Sequence, residues 1–274
     1  CVETFFNDHE RRQSVRSALK GVRDLERLVN RLNTTFVTPA HLININEGLK
    51  RIPQIKSCLD DVRVSRVIEL ANRLDPCSEV TGILDNAIVQ DDPSLPGGGN
   101  TIQAGFSEEL DRLKSSLQEA RTFIAHIENT EREKTGIKSL KVRYNKVFGY
   151  FIEITASNLQ GIPDNYIRRQ TLVNSERFIT DELKRHESVV LEAAWEIERL
   201  ETELFQTLKD AVIRHSQRII DTAKAVAEID AIVSLAEVAS RNSYVRPTLS
   251  NQREIRLVNS RHPLVESAVL KGSF

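Results

Sequence analysis

The segment from residue 181 to residue 240 decides the fold: DELKRHESVVLEAAWEIERLETELFQTLKDAVIRHSQRIIDTAKAVAEIDAIVSLAEVAS. It contains no proline or glycine, and its apolar residues recur at helical spacing. They are Val190, Ile197, Leu204, Leu208, Ile219, Val226, Ile229 and Val233. Thr180 can cap the start of a helix, and the acidic Asp181 and Glu182 suit its positive N-terminal end. The segment predicts one uninterrupted helix, about 90 Å long.

A second long helix is predicted upstream, where apolar residues repeat with heptad spacing. They are Phe106, Leu110, Leu113, Leu117, Ala120, Ile124 and Ile127. Such a repeat is typical of a helix packed lengthwise on another helix. Only a compact insertion separates the two helices, so we expect them to run antiparallel as a two-helix arm. Trp195, in the second helix, is expected to pack against the first, although exposure at an interface is an alternative.

The insertion, residues 136–180, has strand periodicity instead. Leu140, Val142 and Tyr144 alternate with Lys141 and Arg143, and Tyr150, Ile152 and Ile154 alternate with Phe151 and Glu153. Asn145-Lys146 is expected to form a turn, and shorter extended pieces follow at 169–173 and 177–179. The insertion therefore predicts a small β-domain at the tip of the arm.

The N-terminal third predicts a helical core. Short periodic segments cover 7–20 and 24–32, and Thr38-Pro39 is a favourable helix start. The sequence DDPSLPGGGN at 91–100 cannot continue a helix. The expected fold class is mainly α, with a helical core, long antiparallel helices and a small β-rich domain inserted at their tip.

Composition supports this fold and limits the location of the protein. Of the 274 residues 40% are hydrophobic but only 5% aromatic, which favours helices over a β-sandwich. Cys1, Cys58 and Cys77 form no C-x-x-C pair, so we expect free thiols in a reducing compartment. No apolar run is long enough for a membrane helix, and a cytoplasmic protein is expected. A chain that begins at Cys1 and contains no methionine is expected to be part of a longer protein.

Positive charge is concentrated in the insertion. Residues 136–180 contain seven Lys and Arg against three Asp and Glu, a net charge of +4 in a chain whose net charge is −1. Lys and Arg attract phosphates, while Asn, Gln and Thr donate hydrogen bonds to phosphate oxygens. The run Arg168-Arg169-Gln170-Thr171, followed by Asn174, offers that mixture. A solvated strand surface with an incidental excess of cations remains the alternative.

Several stretches of sequence resemble the bacterial MutS family of DNA mismatch-repair proteins. GIKSLKVRYNKVFGYFIEIT at 136–155 and NYIRRQTLVNSERFITDEL at 165–183 resemble the family's clamp domain. GVRDLERLVNRL, TPAHLININEGLKRIP and AEIDAIVSLAEVASRNSYVRPTL resemble its helical core, and RLVNSRHPLVE resembles the opening of its ATPase domain. The resemblance therefore covers nearly the whole chain.

The resemblance implies both an organisation and a function. It implies a core and first lever helix at 1–135, a clamp at 136–180, a long lever helix returning to the core at 181–250, and the start of a truncated ATPase domain at 251–274. In that family two subunits close around duplex DNA, and each clamp contacts the sugar-phosphate backbone without reading bases. Phosphate contact is carried over to Arg168, Arg169, Gln170, Thr171 and Asn174, and further to Asn145 and Lys146.

The resemblance also implies partners that lie outside this sequence. A homodimer, a downstream partner such as MutL, and ATP with magnesium are expected for the full-length protein. The phosphate-binding loop G-x-x-x-x-G-K-[ST] does not occur, so this chain is expected to be neither an enzyme nor a holder of a cofactor. Phe151-Ile152-Glu153 fits the family's Phe-x-Glu wedge, but it lies in an alternating strand and is expected to be structural.

Other signals are weak, and one rival function remains. His9-Glu10 and His186-Glu187 lack the second histidine of a zinc-protease motif, and no role is assigned to His262-Pro263. The rival is a coiled-coil scaffold whose tip binds a protein partner. A tip of that kind should expose an aromatic anchor instead of Lys and Arg.

Overall fold

A computed structural model describes residues 1–145 and 149–268. The helices are α1 (Val2–Asn7), α2 (His9–Leu19), α3 (Leu25–Arg31), α4 (Pro39–Lys50), α5 (Ile52–Ser57), α6 (Ser65–Asn72), α7 (Ser78–Ala87), α8 (Glu108–Thr135), α9 (Asp181–Arg214), α10 (Ser216–Arg241) and α11 (Pro263–Ala268). The strands are β1 (Lys141–Asn145), β2 (Gly149–Thr155), β3 (Ile167–Thr171) and β4 (Ser175–Ile179), with a 3₁₀ helix at Ala156–Gly161. The expected class, a mainly helical chain with a small β-rich unit, is confirmed.

The described side chains form two separate hydrophobic clusters. The larger cluster joins α1–α7 to α10 and to the C-terminal half of α9. The smaller cluster lies at the tip, where the sheet packs on α8 and on the first turns of α9. The predicted start of α4 is confirmed, since the Thr38 N–H donates to Nδ1 of His41 over 3.0 Å. No helix within the described residues is long and apolar enough to cross a membrane.

The arm consists of α8 and α9, which run antiparallel. Lys114, near the start of α8, contacts Glu201 far along α9, whereas Phe123, further along α8, stacks on His186 near the start of α9. The Thr180 hydroxyl accepts from the Leu183 N–H over 3.1 Å, which confirms the predicted cap of α9. Helix α8 is terminated by the cap residue Gly136, whose φ of 70° places it in the left-handed region that favours glycine.

Two details of the predicted arm helices are wrong. Phe106 precedes the N-cap residue Ser107, so it lies outside α8 and the buried seam begins at Leu110. The predicted single helix over 181–240 is interrupted at His215, whose N–H donates to the Val212 carbonyl in a tighter turn. The interruption occurs because α9 follows α8 along the arm, whereas α10 packs among the short helices of the core.

The expected packing of Trp195 against α8 is also wrong. Its side chain is 61% exposed, and Leu191, one turn earlier, is 62% exposed. Ala193 and Ile197 are buried instead. Residues four apart share a helix face, and a residue midway between them lies on the opposite side. Trp195 therefore belongs to the solvent-facing side of α9.

The loop between α7 and α8 is fastened to α9 by a buried carboxylate. Glu201 is fully buried and accepts hydrogen bonds from the N–H groups of Gly99 (2.7 Å) and Thr101 (3.1 Å). Its side chain also lies 3.1 Å from Nζ of Lys114. The predicted break at 91–100 is confirmed, and the end of the loop is fastened to the arm through the backbone donors of Gly99 and Thr101.

The three cysteines differ in accessibility and are all free, as predicted. Cys1 is exposed, Cys58 is half-buried, and Cys77 is buried at the start of α7. Burial, assisted by the nearby Asp75 carboxylate, raises the pKa of the Cys77 thiol to about 11. A raised pKa keeps this thiol protonated at pH 8, and only the thiolate is a good nucleophile.

We therefore expect alkylation of the native chain at pH 8 to modify Cys1 first and Cys77 last. Iodoacetamide labelling followed by peptide mass spectrometry measures the three rates. In urea, which exposes all three thiols, the difference between Cys58 and Cys77 should disappear. A native Cys77 that reacts as fast as Cys1 would contradict the buried position.

Candidate nucleic-acid interface

The sheet is antiparallel, with the strand order β1-β2-β4-β3, and its register separates its side chains into two faces. Val142, Ile152 and Phe178 lie opposite one another across three strands and pack on α8 and α9. Lys141, Glu153, Arg177 and Gln170 form a neighbouring row across all four strands. Because adjacent residues in a strand point to opposite faces, this second row lies on the opposite face, called the outer face, one end of which meets the start of α9.

Hydrogen bonds from both arm helices hold the sheet in place. From α8, Glu128 accepts from the Val142 N–H over 2.8 Å, and Glu131 accepts from the Tyr166 hydroxyl over 2.6 Å. Burial and this contact raise the pKa of Tyr166, so the hydroxyl stays protonated and donates. From α9, Glu187 accepts from the Tyr150 N–H over 2.9 Å. That donor is available because β4 pairs with β2 only from Ile152 onward.

Gly149 is needed where β2 approaches α9. Its φ is 73°, and a Cβ at this position would collide with the Glu187 carboxylate. The left-handed conformation therefore requires glycine, and a Cβ would in addition displace the Glu187 carboxylate from the Tyr150 N–H.

A β-bulge in β3 sets the orientation of the two predicted phosphate-binding arginines. Arg168 lies opposite Phe178 and Gln170 lies opposite Arg177, so Arg169 is the extra residue without a cross-strand partner. Arg168 is consequently directed to the helix-packed face, at its edge. Its Nε lies 2.8 Å from Oε2 of the buried Glu176, an ion-pair distance without hydrogen-bond geometry. Arg169 is exposed and makes no ion pair within residues 1–145 and 149–268.

Arg177 is held in place on the outer face. Its guanidinium carbon lies 4.4 Å from the ring centroid of Phe151. One edge of the guanidinium donates to Oε1 of Gln170 over 2.9 Å, and its Nε lies 3.3 Å from Oε2 of Glu153. One face and two edges of the group are thus in contact, and Gln170, itself a predicted phosphate contact, is engaged with it.

The remaining predicted site residues lie at the ends of the strands. Thr171 is exposed opposite Glu176, and Asn174 is exposed in the β3–β4 turn, where its carbonyl accepts from the Ala156 N–H over 3.1 Å. Asn145 ends β1 opposite Gly149, on the other side of the sheet from that turn. Lys146 lies outside the described residues. The structure therefore keeps Arg169 and Gln170 side by side, directs Thr171 to the opposite face of β3 from Gln170, and leaves Asn145 apart from them.

Further cations, which were not predicted as site residues, lie on or beside the sheet and at the start of α9. Lys138, Lys141 and Arg143 are exposed and make no ion pair in the part of the chain that the structure describes. Lys184, in the second turn of α9, has the same properties. Strand alternation indicated Lys141 and Arg143, but Lys184 lies beyond the predicted end of the β-domain. Among the described residues no group of three His, Cys, Asp or Glu side chains could hold a metal ion.

The fold and this surface define a class of protein: a helical core with a two-helix arm that carries a small basic sheet. Comparison with known proteins agrees with that class. Residues 105–196, which cover α8, the sheet and the first part of α9, match MutS family domain IV. The whole chain is 41% identical over 274 residues to the DNA mismatch repair protein MutS of Alkaliphilus metalliredigens.

Two further relatives have the same description. The DNA mismatch repair proteins MutS of Halothermothrix orenii and Dehalococcoides mccartyi are 41% and 40% identical to this chain, each over 274 residues. The chain belongs to the MutS family. The matches extend over all 274 residues of this chain. The chain itself spans only 31%, 30% and 32% of the lengths of the three relatives.

Proposed function

We propose that the sheet binds the sugar-phosphate backbone of duplex DNA without reading its sequence, as part of mismatch repair. The observation that carries the proposal is the excess of unpaired cations on the exposed parts of the tip. Lys141, Arg143 and Arg169 have no carboxylate partner among the described residues, so a phosphate would supply the missing charge. The membership of the MutS family supports the same function.

The predicted phosphate-contact residues differ in how freely they can approach a DNA backbone. Arg169, Thr171 and Asn174 are free to approach a backbone, whereas Arg168 and Gln170 would do so only while keeping Glu176 and Arg177 as neighbours. Asn145 would form a separate contact at the other end of the sheet, and Lys146 stays a proposed contact from the sequence alone. Contacts with phosphates fix position and orientation but carry no base sequence, so no mismatch preference is expected from this surface.

The arm and core would act as the lever that carries the clamp, with the domain boundaries given above. For the longer protein we propose a homodimer around duplex DNA, MutL as a downstream partner, and ATP hydrolysis with magnesium by residues outside this chain. This DNA binding would take place in the cytoplasm, where bacterial chromosomal DNA lies. The scaffold alternative has less support: Tyr144 is 56% exposed at the tip, but its ring packs against Tyr150 with the centroids 5.0 Å apart, and the same strand carries Lys141 and Arg143, which have no ion-pair partner among the described residues.

Replacing Arg169 with alanine should reduce the dependence of DNA binding on salt. Each phosphate neutralised contributes about 0.9 to the slope of log affinity against log salt, so the loss of one contact should lower the slope by about that amount. Fluorescence anisotropy with a labelled duplex of about 30 base pairs, at several salt concentrations, measures it. Perfect and mismatched duplexes should bind alike.

Arg199→Ala is the matched control, because Arg199 lies on α9 and is already paired with Glu196 and Glu203. The control should keep the parent slope. If Arg169→Ala also kept it, the phosphate contact would lie elsewhere on the chain. Absence of binding by the parent at low salt would reject the proposal for this chain alone.

A further inference from the structure

A cleft opens at the junction between the sheet and α9. It has a volume of about 200 Å³ and is lined by Phe151, Arg169, Gln170, Arg177, Ile179, Lys184 and Glu187. The floor is apolar, formed by Phe151 and Ile179, which are both buried. Three cationic side chains surround this floor, and two of them belong to the sheet while the third belongs to the helix.

The charges of the cleft are not balanced within the described residues. Arg169 and Lys184 have no ion-pair partner there, and Arg177 shares the Glu153 carboxylate at 3.3 Å. The one carboxylate in the lining, Glu187, is engaged by the Tyr150 N–H over 2.9 Å, beside Gly149. The cleft therefore has positive charge to offer to a ligand, and its acidic group is directed to the backbone of β2.

The cleft is also preorganised, because contacts within the sheet hold Arg177 in place. Arg177 cannot move freely, because its guanidinium packs over the ring of Phe151 and donates to Gln170. A fixed guanidinium loses little conformational entropy when it binds an anion. The bulge in β3 places Arg169 beside it as an extra residue, free of the cross-strand pairing that occupies Gln170.

We propose that this cleft is a binding site for a single phosphate group of the DNA backbone, held between Arg169 and Arg177 of the sheet and Lys184 of α9. The proposal rests on the proposed function and adds a site that spans two elements. A phosphate bound there bridges the sheet and the arm helix, so that DNA contact stiffens the junction through which the tip is attached. The ligand is an anion, since the charged groups of the lining are Arg169, Arg177 and Lys184 together with Glu187, which is engaged by the Tyr150 N–H.

Lys184→Gln tests the site, with Arg185→Gln as the matched control. Both residues are exposed and neighbouring on α9, but only Lys184 lines the cleft. We expect Lys184→Gln to lower the salt slope of duplex binding by about one, and Arg185→Gln to change it by much less. Equal slopes for Lys184→Gln, Arg185→Gln and the parent would overturn the proposed phosphate site in the cleft. A lowered slope in Arg169→Ala would still support the proposed function.

A second measurement does not depend on any variant. Acetylation of lysines by an activated ester, followed by mass spectrometry, should show Lys184 protected when duplex DNA is bound. Lys20, exposed on the core far from the sheet, serves as the internal reference. Unchanged acetylation of Lys184 at saturating DNA would overturn the proposal.

A parallel acetylation experiment distinguishes the two sources of phosphate. It replaces the duplex with inorganic phosphate at the same phosphate concentration. Protection by the duplex alone identifies the backbone phosphodiester as the ligand. Equal protection by inorganic phosphate would overturn the assignment to DNA.

Discussion

Replacing Glu201 with leucine should lower the free energy of unfolding by about 3 to 5 kcal/mol, because several buried donors lose their acceptor at once. The N–H groups of Gly99, Thr101 and Ile102 lie 2.7, 3.1 and 3.4 Å from its carboxylate oxygens. Backbone donors cannot be removed together with the side chain, so they stay unpaired whatever replaces it. Urea unfolding followed by circular dichroism measures the change.

Two further variants separate this explanation from a general effect of charge. Glu201→Gln keeps an oxygen acceptor for Thr101 but loses the ion pair with Lys114, so a smaller loss of about 1 to 2 kcal/mol is expected. Glu203→Ala removes an exposed carboxylate two residues away, paired with Arg199, and should cost less than about 1 kcal/mol. A Glu201→Leu variant no less stable than Glu203→Ala would show that the loop does not depend on the carboxylate.

Replacing Phe178 with alanine should unfold the tip selectively. Phe178 is 2% exposed in the smaller hydrophobic cluster, where its ring centroid lies 6.0 Å from that of Tyr166. Truncation of a buried phenylalanine costs about 3 to 5 kcal/mol, a large fraction of the stability of a small unit. The larger cluster shares none of these side chains, so it should retain its stability.

Amide hydrogen exchange resolves the two clusters, because it reports local opening along the chain. In Phe178→Ala we expect faster exchange in the four strands and unchanged exchange in α4 and α10. Val173→Ala is the control, since Val173 is 96% exposed in the β3–β4 turn and its truncation removes little packing. Faster exchange throughout the core would mean that the two clusters unfold as one unit.

Much of the fold could be predicted because the decisive signals are local. The heptad from Leu110 to Ile127 and the cap at Thr180 depend on residues that are neighbours on one helix, and both agree with the structure. The interruption at His215 could not be predicted in the same way. Its cause is the different packing partners of α9 and α10, and helical spacing continues on both sides of it.

The candidate site was less predictable, because side chains next to each other in the sequence have different surroundings. Arg168 and Arg169 formed one predicted group, yet the bulge sends Arg168 to Glu176 and leaves Arg169 exposed. Lys184 was not predicted, since it reaches the sheet from the following helix. Trp195 was assigned to the wrong side of α9, because an apolar residue beside a stripe does not reveal the boundary of that stripe.

The sequence by itself determined the helical arm, the inserted sheet and the concentration of positive charge in that sheet. These properties follow from periodicity, caps and composition, which act over one or two turns or strands. Only the tertiary structure decided which cations remain unpaired and which share the cleft at the junction. The physical reason is that ion pairing depends on distances of a few ångströms between separate elements, and one bulged residue in β3 changes which side chains come that close.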